Sequence, residues 1–275
     1  MDLKEVPETD EQIINHFPGN EYHSPAGTRP SLGYYFLLGS RWYFFCKMLG
    51  IVIRGSKRAL SGNYTNPFFV EQSWDFFKAV NDYGCEVHIE GLENLGATDG
   101  PAVIISNHMS SLETVLLPSM ILPRKDAAFI VKKSLAEYPL FGNIINAIKH
   151  ITVTRTNPRE DLKSVMEKGL GYLRDGVSVI VFPQATRNSV FIPEEFNTIG
   201  IKLATRAEVP VIPLALRTNF WGNGRFLKEL GPISPDISVR FKFDKPFMVS
   251  GNGKEDHQRI ISFISESLDK WNKQP

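Results

Sequence analysis

Short apolar runs alternate with longer amphipathic stretches along the chain from Cys85 onward. A run of four to eight apolar residues is typical of a strand, and a run without polar alternation is typical of a strand covered on both faces. The predicted strands are Cys85–Glu90, Ala102–Ser106, Ala127–Lys132, His150–Arg155, Ser178–Phe182, Val209–Leu216 and Val239–Phe243. Such strands alternating with helices predict an α/β fold with a mixed, largely parallel sheet and helices on its faces.

Helical periodicity is clearest in three stretches. One begins with Asn157 as N-cap and Pro158 as the first helical residue. Its predicted apolar stripe is Leu162, Val165, Met166, Leu170 and Leu173. Near the end of the chain a second stripe is Ile260, Ile261, Ile264, Leu268 and Trp271. A third helix is predicted from Asn66, as N-cap, to a stop at Gly84.

The pattern before Cys85 is different and divides the chain into three parts. Residues 1–30 contain four prolines and no periodicity, which predicts a mobile polar leader. Residues 31–84 are rich in aromatic side chains, with seven between Leu32 and Gly55, and Arg41 and Lys47 interrupt the apolar run. No stretch reaches the ~18 apolar residues of a spanning helix. Residues 85–275 form the predicted catalytic α/β domain.

The aromatic segment has two interpretations. Rings mixed with cations are typical of a helix in the membrane interface, with its charges facing lipid phosphates. A helix packing on the core would also be apolar on one face. Seven aromatic side chains exceed what one buried face needs, so we favour the interfacial interpretation. It predicts a peripheral or monotopic protein that is associated with a membrane, on the cytoplasmic face.

Composition excludes several classes of function. The formal net charge of +1 gives no overall field for nucleic acid, so no nucleic-acid partner is predicted. The chain has two cysteines without CxxC spacing and six scattered histidines without HExxH, so no metal site is expected. G-x-S-x-G, GxxxxGK[ST] and GxGxxG do not occur, which argues against a serine hydrolase and the usual nucleotide sites.

A candidate base follows the strand Ala102–Ser106. His108 comes directly after Asn107, and the carboxylate of Glu113 is five positions further on. A carboxylate bound to one imidazole nitrogen fixes the tautomer and raises the basicity of the other nitrogen, which could then remove a proton from a hydroxyl. Ser110-x-x-Glu113 is also a capping box, in which Glu113 only closes the start of a helix. The two roles are compatible, and the residues alone leave both open.

Cations also end predicted strands. Arg187 follows Ser178–Phe182 in the sequence VFPQATRN, and Arg155 ends the strand HITVTR. A guanidinium suits bidentate binding of phosphate, although a surface arginine after a strand is common. Lys132 ends a further strand and could add charge. The carboxyl ends of parallel strands meet at one sheet edge, so these side chains could converge with His108 on one crevice. A base without a protein nucleophile, a phosphate site and an interfacial anchor predict a transferase acting on a phosphorylated lipid.

These motifs resemble those of the lysophosphatidate (glycerolipid) acyltransferase family. Four blocks occur in the family's order: NHMSSLE for its N-H-x-x-x-x-D block, the strand ending at Arg155, FPQATR for its F-P-E-G-T-R block, and VPVIPLAL. The resemblance covers roughly Cys85 to Phe247. It implies that His108 activates the acceptor hydroxyl, that Glu113 orients His108, and that the acceptor is held by a set of side chains. That set is Lys132, Arg155, Gln184, Ala185, Thr186 and Arg187.

The chain departs from the family pattern at three positions in these blocks. Glu113 replaces Asp but keeps the carboxylate, and Gln184 and Ala185 replace Glu and Gly. A neutral amide at position 184 is expected to leave the charge of Arg187 less compensated, which favours an anionic acceptor.

The resemblance implies a specific reaction. An acyl thioester, either acyl-CoA or acyl-carrier protein, would be the co-substrate, with no further cofactor and no metal. The acceptor would be a membrane lysophospholipid such as lysophosphatidate, giving phosphatidate. Two alternatives remain at this point: acylation of another lyso-lipid, for example a lyso-aminolipid, and a catalytically weak lipid-binding protein in which Glu113 only caps its helix.

Overall fold

The computed structural model describes residues 12–25, 27–36, 40–184, 186–224 and 228–273. They form an eight-stranded sheet in the order β1-β2-β8-β7-β3-β6-β4-β5. The strands are β1 (Tyr22–His23), β2 (Val87–Glu90), β3 (Val103–Ser106), β4 (Ala127–Lys132), β5 (His150–Val153), β6 (Ser178–Val181), β7 (Val211–Arg217) and β8 (Val239–Phe243). All seven predicted strands are present, and β1 is the strand that the pattern did not predict.

The sheet is mixed and mostly parallel, as predicted. β7, β3, β6, β4 and β5 all run in one direction. β8 pairs antiparallel with β7, and β1 pairs antiparallel with β2. The carboxyl ends of β3, β4, β5 and β6 therefore lie at the same edge, where open α/β sheets place their ligand crevices.

Burial along the strands explains their sequences. Every residue of β3, β6 and β7 is buried, so both faces of the central sheet are covered, as their unbroken apolar runs predict. In β2 and β8, buried and partly exposed positions alternate. Those two strands therefore have one face that is partly open to solvent.

The helices are α1 (Leu32–Phe36), α2 (Arg41–Leu60), α3 (Asn66–Asp82), α4 (Glu93–Gly96), α5 (Leu112–Ile121), α6 (Phe141–Ala147), α7 (Pro158–Arg174), α8 (Ile199–Ala207) and α9 (Lys254–Asn272). Short 3₁₀ helices span Lys133–Glu137, Pro193–Glu195 and Lys228–Leu230. α7 packs against β5 and β6, α8 against β3, and α9 against β7. α2 packs against α3 and α6, and α3 packs against α5.

Helix termini follow the predicted capping chemistry with small differences. The Asn157 side chain accepts a hydrogen bond from the Glu160 N–H and caps α7, as predicted. Thr65, and not Asn66, caps α3. The predicted stripe of α9 is buried throughout, whereas Leu162 in the α7 stripe is 38% exposed.

The leader is only partly what the sequence predicted. Residues 1–11 and Ala26 lie outside the described residues. Over residues 12–25 the prediction of a mobile polar segment is wrong, because this stretch packs on the domain. Phe17 is 2% exposed within the core, Tyr22 and His23 form β1, and Arg124 donates hydrogen bonds to the Phe17 and Gly19 carbonyls.

The aromatic segment packs on the core with one part of its surface, and the interfacial interpretation stays a prediction. Tyr43, Phe44 and Phe45 on α2 are buried in the same core as the sheet, and Phe44 packs edge-on against Phe220. The other side remains exposed: Leu32 is 80% exposed, and the rest of this surface is Tyr35, Phe36, Trp42 and Leu49. We call these five side chains the apolar rim. Residues 31–84 thus contribute to the domain core and also carry an exposed apolar surface.

Two cations of the aromatic segment are paired within the fold. Lys47 forms an ion pair with Asp82, and Arg54 forms one with Asp75, so both tie α2 to α3. Among the described residues, no helix has both the length and the apolar character needed to cross a bilayer.

Candidate active site

His108 lies in the buried corner between β3 and α5. β3 ends at Ser106, and the side chain of the next residue, Asn107, exchanges two hydrogen bonds with the backbone of Leu216 at the end of β7. The His108 N–H donates to Gln184 Oε1 at 2.9 Å, and its carbonyl accepts from the Asn188 N–H at 2.9 Å. Strand ends from three parts of the chain thereby fix the backbone that carries the imidazole.

The predicted pairing of His108 with Glu113 is present. Nδ1 of His108 lies 2.9 Å from Glu113 Oε1, and the His108 ring stacks on Phe182 with 4.6 Å between ring centroids. An ionised carboxylate only accepts hydrogen bonds, so the shared proton belongs to Nδ1. The neutral ring then keeps a lone pair on Nε2, which is the form a general base needs.

Glu113 is completely buried and is bound on every side. It accepts hydrogen bonds from the Met109 N–H at 2.7 Å, the Ser110 N–H at 3.0 Å and the Thr218 hydroxyl. Burial alone would raise the pKa of Glu113, but the hydrogen bonds and charge of His108, then those of Thr218 and Ser110, outweigh it and lower that pKa. The carboxyl is therefore ionised at neutral pH.

The capping interpretation is also present at this corner. Glu113 accepts from the Ser110 N–H, which is one half of a capping box, whereas Ser110 Oγ accepts at 3.0 Å from the Leu112 N–H and not from that of Glu113. Glu113 thus closes the start of α5 and contacts His108 at once. The two interpretations left open by the sequence describe one carboxylate in two roles.

A largely apolar cavity of about 210 Å³ opens beside His108. Its walls come from α3, α6, α7 and the ends of β4, β5 and β6, and include Phe76, Ile145, Val165 and Phe182. The polar side chains among its lining residues include His108, Gln184, Lys132 and Arg155. The cavity thus offers apolar space beside a reactive side chain.

Arg155 and Lys132 both line this cavity; Lys132 is the last residue of β4, and Arg155 comes two residues after the end of β5. The strand of Arg155 ends earlier than predicted, at Val153, because Arg155 itself adopts a left-handed backbone conformation with φ of 61°. Its N–H and that of Thr154 donate to the Asp161 carboxylate at 2.7 Å. Desolvation, and then the like charge of Arg187, lower the pKa of Arg155, which places the two guanidinium groups within electrostatic range of each other.

The positive charge of Arg187 is paired with a carboxylate that the sequence analysis did not name. Arg187 donates to Glu229 Oε1 at 2.8 Å and to Ser111, so its charge is already paired. Gln184 was expected to leave the charge of Arg187 less compensated, and a carboxylate 42 residues away, Glu229, supplies negative charge beside it. Thr186 is exposed next to it, and Ala185 lies outside the described residues.

Gln184 is 2% exposed and faces the cavity. Its Oε1 is used by the His108 N–H, while its Nε2 is buried without a hydrogen-bond partner among the described residues. A buried N–H donor without a partner is costly, so this amide is suited to a ligand that accepts a hydrogen bond.

Several contacts were missed by sequence reasoning. Thr218 and Glu229 reach Glu113 and Arg187 from distant parts of the chain. The only available signal for Thr218 was its position directly after the apolar strand β7. Phe182 was identified as the end of a strand, and its stacking on His108 was not predicted.

Comparison with known proteins agrees with this geometry. Residues 86–217 match the family model described as Acyltransferase. A 1-acyl-sn-glycerol-3-phosphate acyltransferase of Pseudomonas aeruginosa is 29% identical over 208 residues, covering 73% of this chain and 77% of the relative. A chloroplastic 1-acyl-sn-glycerol-3-phosphate acyltransferase of Arabidopsis thaliana is 29% identical over 187 residues, which is 64% of this chain and 51% of that protein.

A solved structure has the same fold. The crystal structure of a 1-acyl-sn-glycerophosphate acyltransferase from Thermotoga maritima superposes with a TM-score of 0.61, at 20% identity, covering 89% of this chain and 95% of that chain. The matched domain contains both His108 and Glu113. Over residues 86–217 this chain is therefore similar to the acyltransferase family, and with the relatives named above this makes the protein an acyltransferase.

Proposed function

We propose that this enzyme transfers a fatty acyl group from a thioester donor, acyl-CoA or acyl-carrier protein, to the free hydroxyl of lysophosphatidate, giving phosphatidate. The observation that carries the proposal is the His108–Glu113 pair, with His108 lining a largely apolar cavity. The name 1-acyl-sn-glycerol-3-phosphate acyltransferase, borne by the relatives above, supports this acceptor.

The reaction follows from the orientation of His108. Nε2 takes the proton of the acceptor hydroxyl while its oxygen forms a bond to the thioester carbonyl carbon. The carbon–sulfur bond then breaks, and the thiol leaves with the proton that His108 held. Glu113 keeps Nδ1 protonated and stabilises the imidazolium between these steps.

The remaining groups have binding roles in this proposal. The fatty acyl chain occupies the apolar cavity, whose lining includes Lys132 and Arg155. The phosphate of the acceptor meets Arg155 and Arg187, which lies outside the cavity lining, with Thr186 beside Arg187. Gln184 Nε2 donates to an oxygen of the bound substrate. His108 and Glu113 act on the reacting atoms, and the other side chains position them.

Both substrates are lipids or carry a fatty chain, so the enzyme works at a membrane surface. The apolar rim supports this placement, since Leu32 and Phe36 are more than three-quarters exposed, at 80% and 86%. We propose peripheral association with the cytoplasmic face, where acyl thioester donors are available.

The test is a product assay with purified full-length protein, vesicles and a radiolabelled acyl thioester. Lysophosphatidate, a zwitterionic lysophospholipid, a lyso-aminolipid and monoacylglycerol are offered in parallel. Labelled phosphatidate is the expected product, and the donor thiol should appear in equal amount. Faster acylation of the lyso-aminolipid than of lysophosphatidate would show that the lyso-aminolipid is the preferred acceptor. Absence of acylated lipid with every acceptor would refute the acceptor class.

A further inference from the structure

Two histidines face each other at the far side of the sheet. His23 on β1 and His88 on β2 occupy directly opposite positions of the antiparallel pair. Their Nδ1 atoms are 3.0 Å apart, and the contact is open to solvent. β8 and β7 separate β2 from β3, so this pair is distinct from the active site at His108.

Each ring has a carboxylate behind it. Nε2 of His23 lies 3.5 Å from Glu21 Oε2, and Nε2 of His88 lies 3.5 Å from Glu86 Oε2. The other oxygen of Glu86 accepts a hydrogen bond from the Gly27 N–H at 2.9 Å, which fixes that carboxylate in place. The two rings therefore present Nδ1 to each other and Nε2 to an anionic acceptor.

Two neutral histidines have too few protons to place one between the two Nδ1 atoms as well as one on each Nε2. A carboxylate only accepts hydrogen bonds, so both Nε2 atoms favour carrying a proton. Two neutral imidazoles carry two protons in total, which leaves two lone pairs facing each other across 3.0 Å. A cation between the two Nδ1 atoms resolves this conflict.

We propose that His23 and His88 bind one divalent transition-metal ion of the Zn²⁺, Cu²⁺ or Ni²⁺ class through their Nδ1 atoms. Zn–N bonds are 2.0–2.1 Å long, so two adjacent ligand nitrogens are roughly 2.9–3.4 Å apart, and the spacing of the two Nδ1 atoms lies in that range. Imidazole suits all three metals. A carboxylate accepting from the far nitrogen of a ligating histidine is the usual outer partner at such sites.

The site has two protein ligands, and water completes it. Across the described ranges, no group of three or more His, Cys, Asp or Glu side chains is arranged around a common metal position. Arg240 on β8 lies opposite His88 in the register and brings a positive charge to the pair. The carboxylates of Glu90 and Glu86 act on Arg240 with opposite sign, and those of Glu21 and Glu86 lie beside the two rings.

Metal binding here would link β1 to β2 at the edge of the sheet. β1 is only two residues long, and beyond it Ser24 exchanges two hydrogen bonds with Val87. A metal bridge between β1 and β2 would add a covalent-like link at this short pairing. The bound ion would therefore order the stretch that leads from Phe17 to the apolar rim, with no part in the chemistry at His108.

The test is calorimetric titration of the full chain with Zn²⁺ alone, free of chelating buffer. We expect one saturable site that His23→Ala and His88→Ala each abolish. His257→Ala on α9 is the matched control and should bind as the parent does. Glu86→Gln should weaken binding about 10–100-fold, as removal of an outer partner typically does. Zn²⁺ should raise the thermal midpoint of the parent and leave that of His23→Ala unchanged.

Two results would overturn the proposal. Parent protein without a saturable Zn²⁺ site would mean that the histidine pair shares a proton instead of a metal. Undiminished binding by a folded His23→Ala variant would place the metal elsewhere. Circular dichroism of each variant establishes that it is folded, and His23 is exposed enough that its removal leaves the core untouched.

Discussion

At the scale of single residues, Glu113 joins the stability of the fold to the chemistry of the site. It caps α5, binds Thr218 from the end of β7, and holds His108 Nδ1. A buried carboxylate with this many donors is stabilised in its charged form. Its lowered pKa therefore means that the ionised carboxylate stabilises the fold as well as holding His108 for catalysis.

Glu113→Gln should therefore destabilise the protein in a pH-dependent way. The folded-state pKa of Glu113 lies below its unfolded value, so its ionised form stabilises the fold above about pH 4.3, and the contribution is lost as the pH falls toward the folded pKa. At pH 7 the loss should be about 1.5–3 kcal/mol, because the hydrogen bonds are to a charged group.

Urea unfolding of the parent and of Glu113→Gln at several pH values measures this loss in the free energy of unfolding. The difference in the free energy of unfolding should narrow as the pH falls below about 4.3. Glu255→Gln, at an exposed position in the first turn of α9, is the control and should give no such trend. A constant difference between parent and Glu113→Gln across this pH range would contradict the account.

Arg187 is the residue at which acceptor binding is best separated from catalysis. Arg187→Ala should lower kcat/KM on lysophosphatidate by ten- to a hundredfold, since a charge-assisted hydrogen bond contributes about 1.5–3 kcal/mol. On monoacylglycerol, which lacks the phosphate, the same variant should have nearly parental activity.

Glu229→Gln is the matched control for this variant. It frees Arg187 from its ion pair without removing the guanidinium, so lysophosphatidate should be used at least as well as by the parent. Equal losses on the two acceptors in Arg187→Ala would show that Arg187 only supports the loop through Ser111 and Glu229.

At the scale of elements, α1 and α2 have an inner and an outer side with different roles. Deleting the first 60 residues would remove Phe44 and its neighbours from the core, so it is not a clean test of membrane binding. Substitutions on the apolar rim leave the buried side intact.

The double variant Leu32→Ser with Phe36→Ser should bind vesicles much more weakly. Each apolar side chain transferred into the interface contributes about 1.5–3 kcal/mol, so losing two should lower the partition coefficient by at least a hundredfold. Vesicle flotation measures it. Met248→Ser, at a 57% exposed methionine outside the apolar rim, should float as the parent does. Unchanged flotation of the double variant would exclude the rim as the anchor.

α6 forms one wall of the cavity and provides a test of acyl-chain binding. Ile145 is 5% exposed and lines the cavity. Ile145→Phe should fill part of this space and shift donor preference toward shorter chains, whereas Ile145→Ala should enlarge it and keep or lengthen the preferred chain. The Ala variant should also lose about 2–5 kcal/mol of stability. Identical chain-length profiles for the two variants would place the acyl chain elsewhere.

At the scale of the whole molecule, the sequence predicts those features that depend on residues close together in the chain. The strands, the α7 and α9 stripes and the His108–Glu113 pair all depend on residues close together in the chain. Contacts between distant residues were not predictable in this way. Thr218 lies 105 residues from Glu113, Glu229 is 42 from Arg187, and His23 is 65 from His88. The polar leader was misassigned for the same reason, because Phe17 packs against Trp74 and Phe77 of α3, which are distant in the chain.

The central claim is that His108 removes the proton of the acceptor hydroxyl. The most direct measurement is kcat/KM of His108→Ala for lysophosphatidate with a saturating acyl thioester on vesicles, compared with the parent at equal folded concentration. The account predicts a loss of at least about 10²–10⁴-fold with unchanged vesicle binding. A folded His108→Ala variant that forms phosphatidate at the parental rate would contradict it.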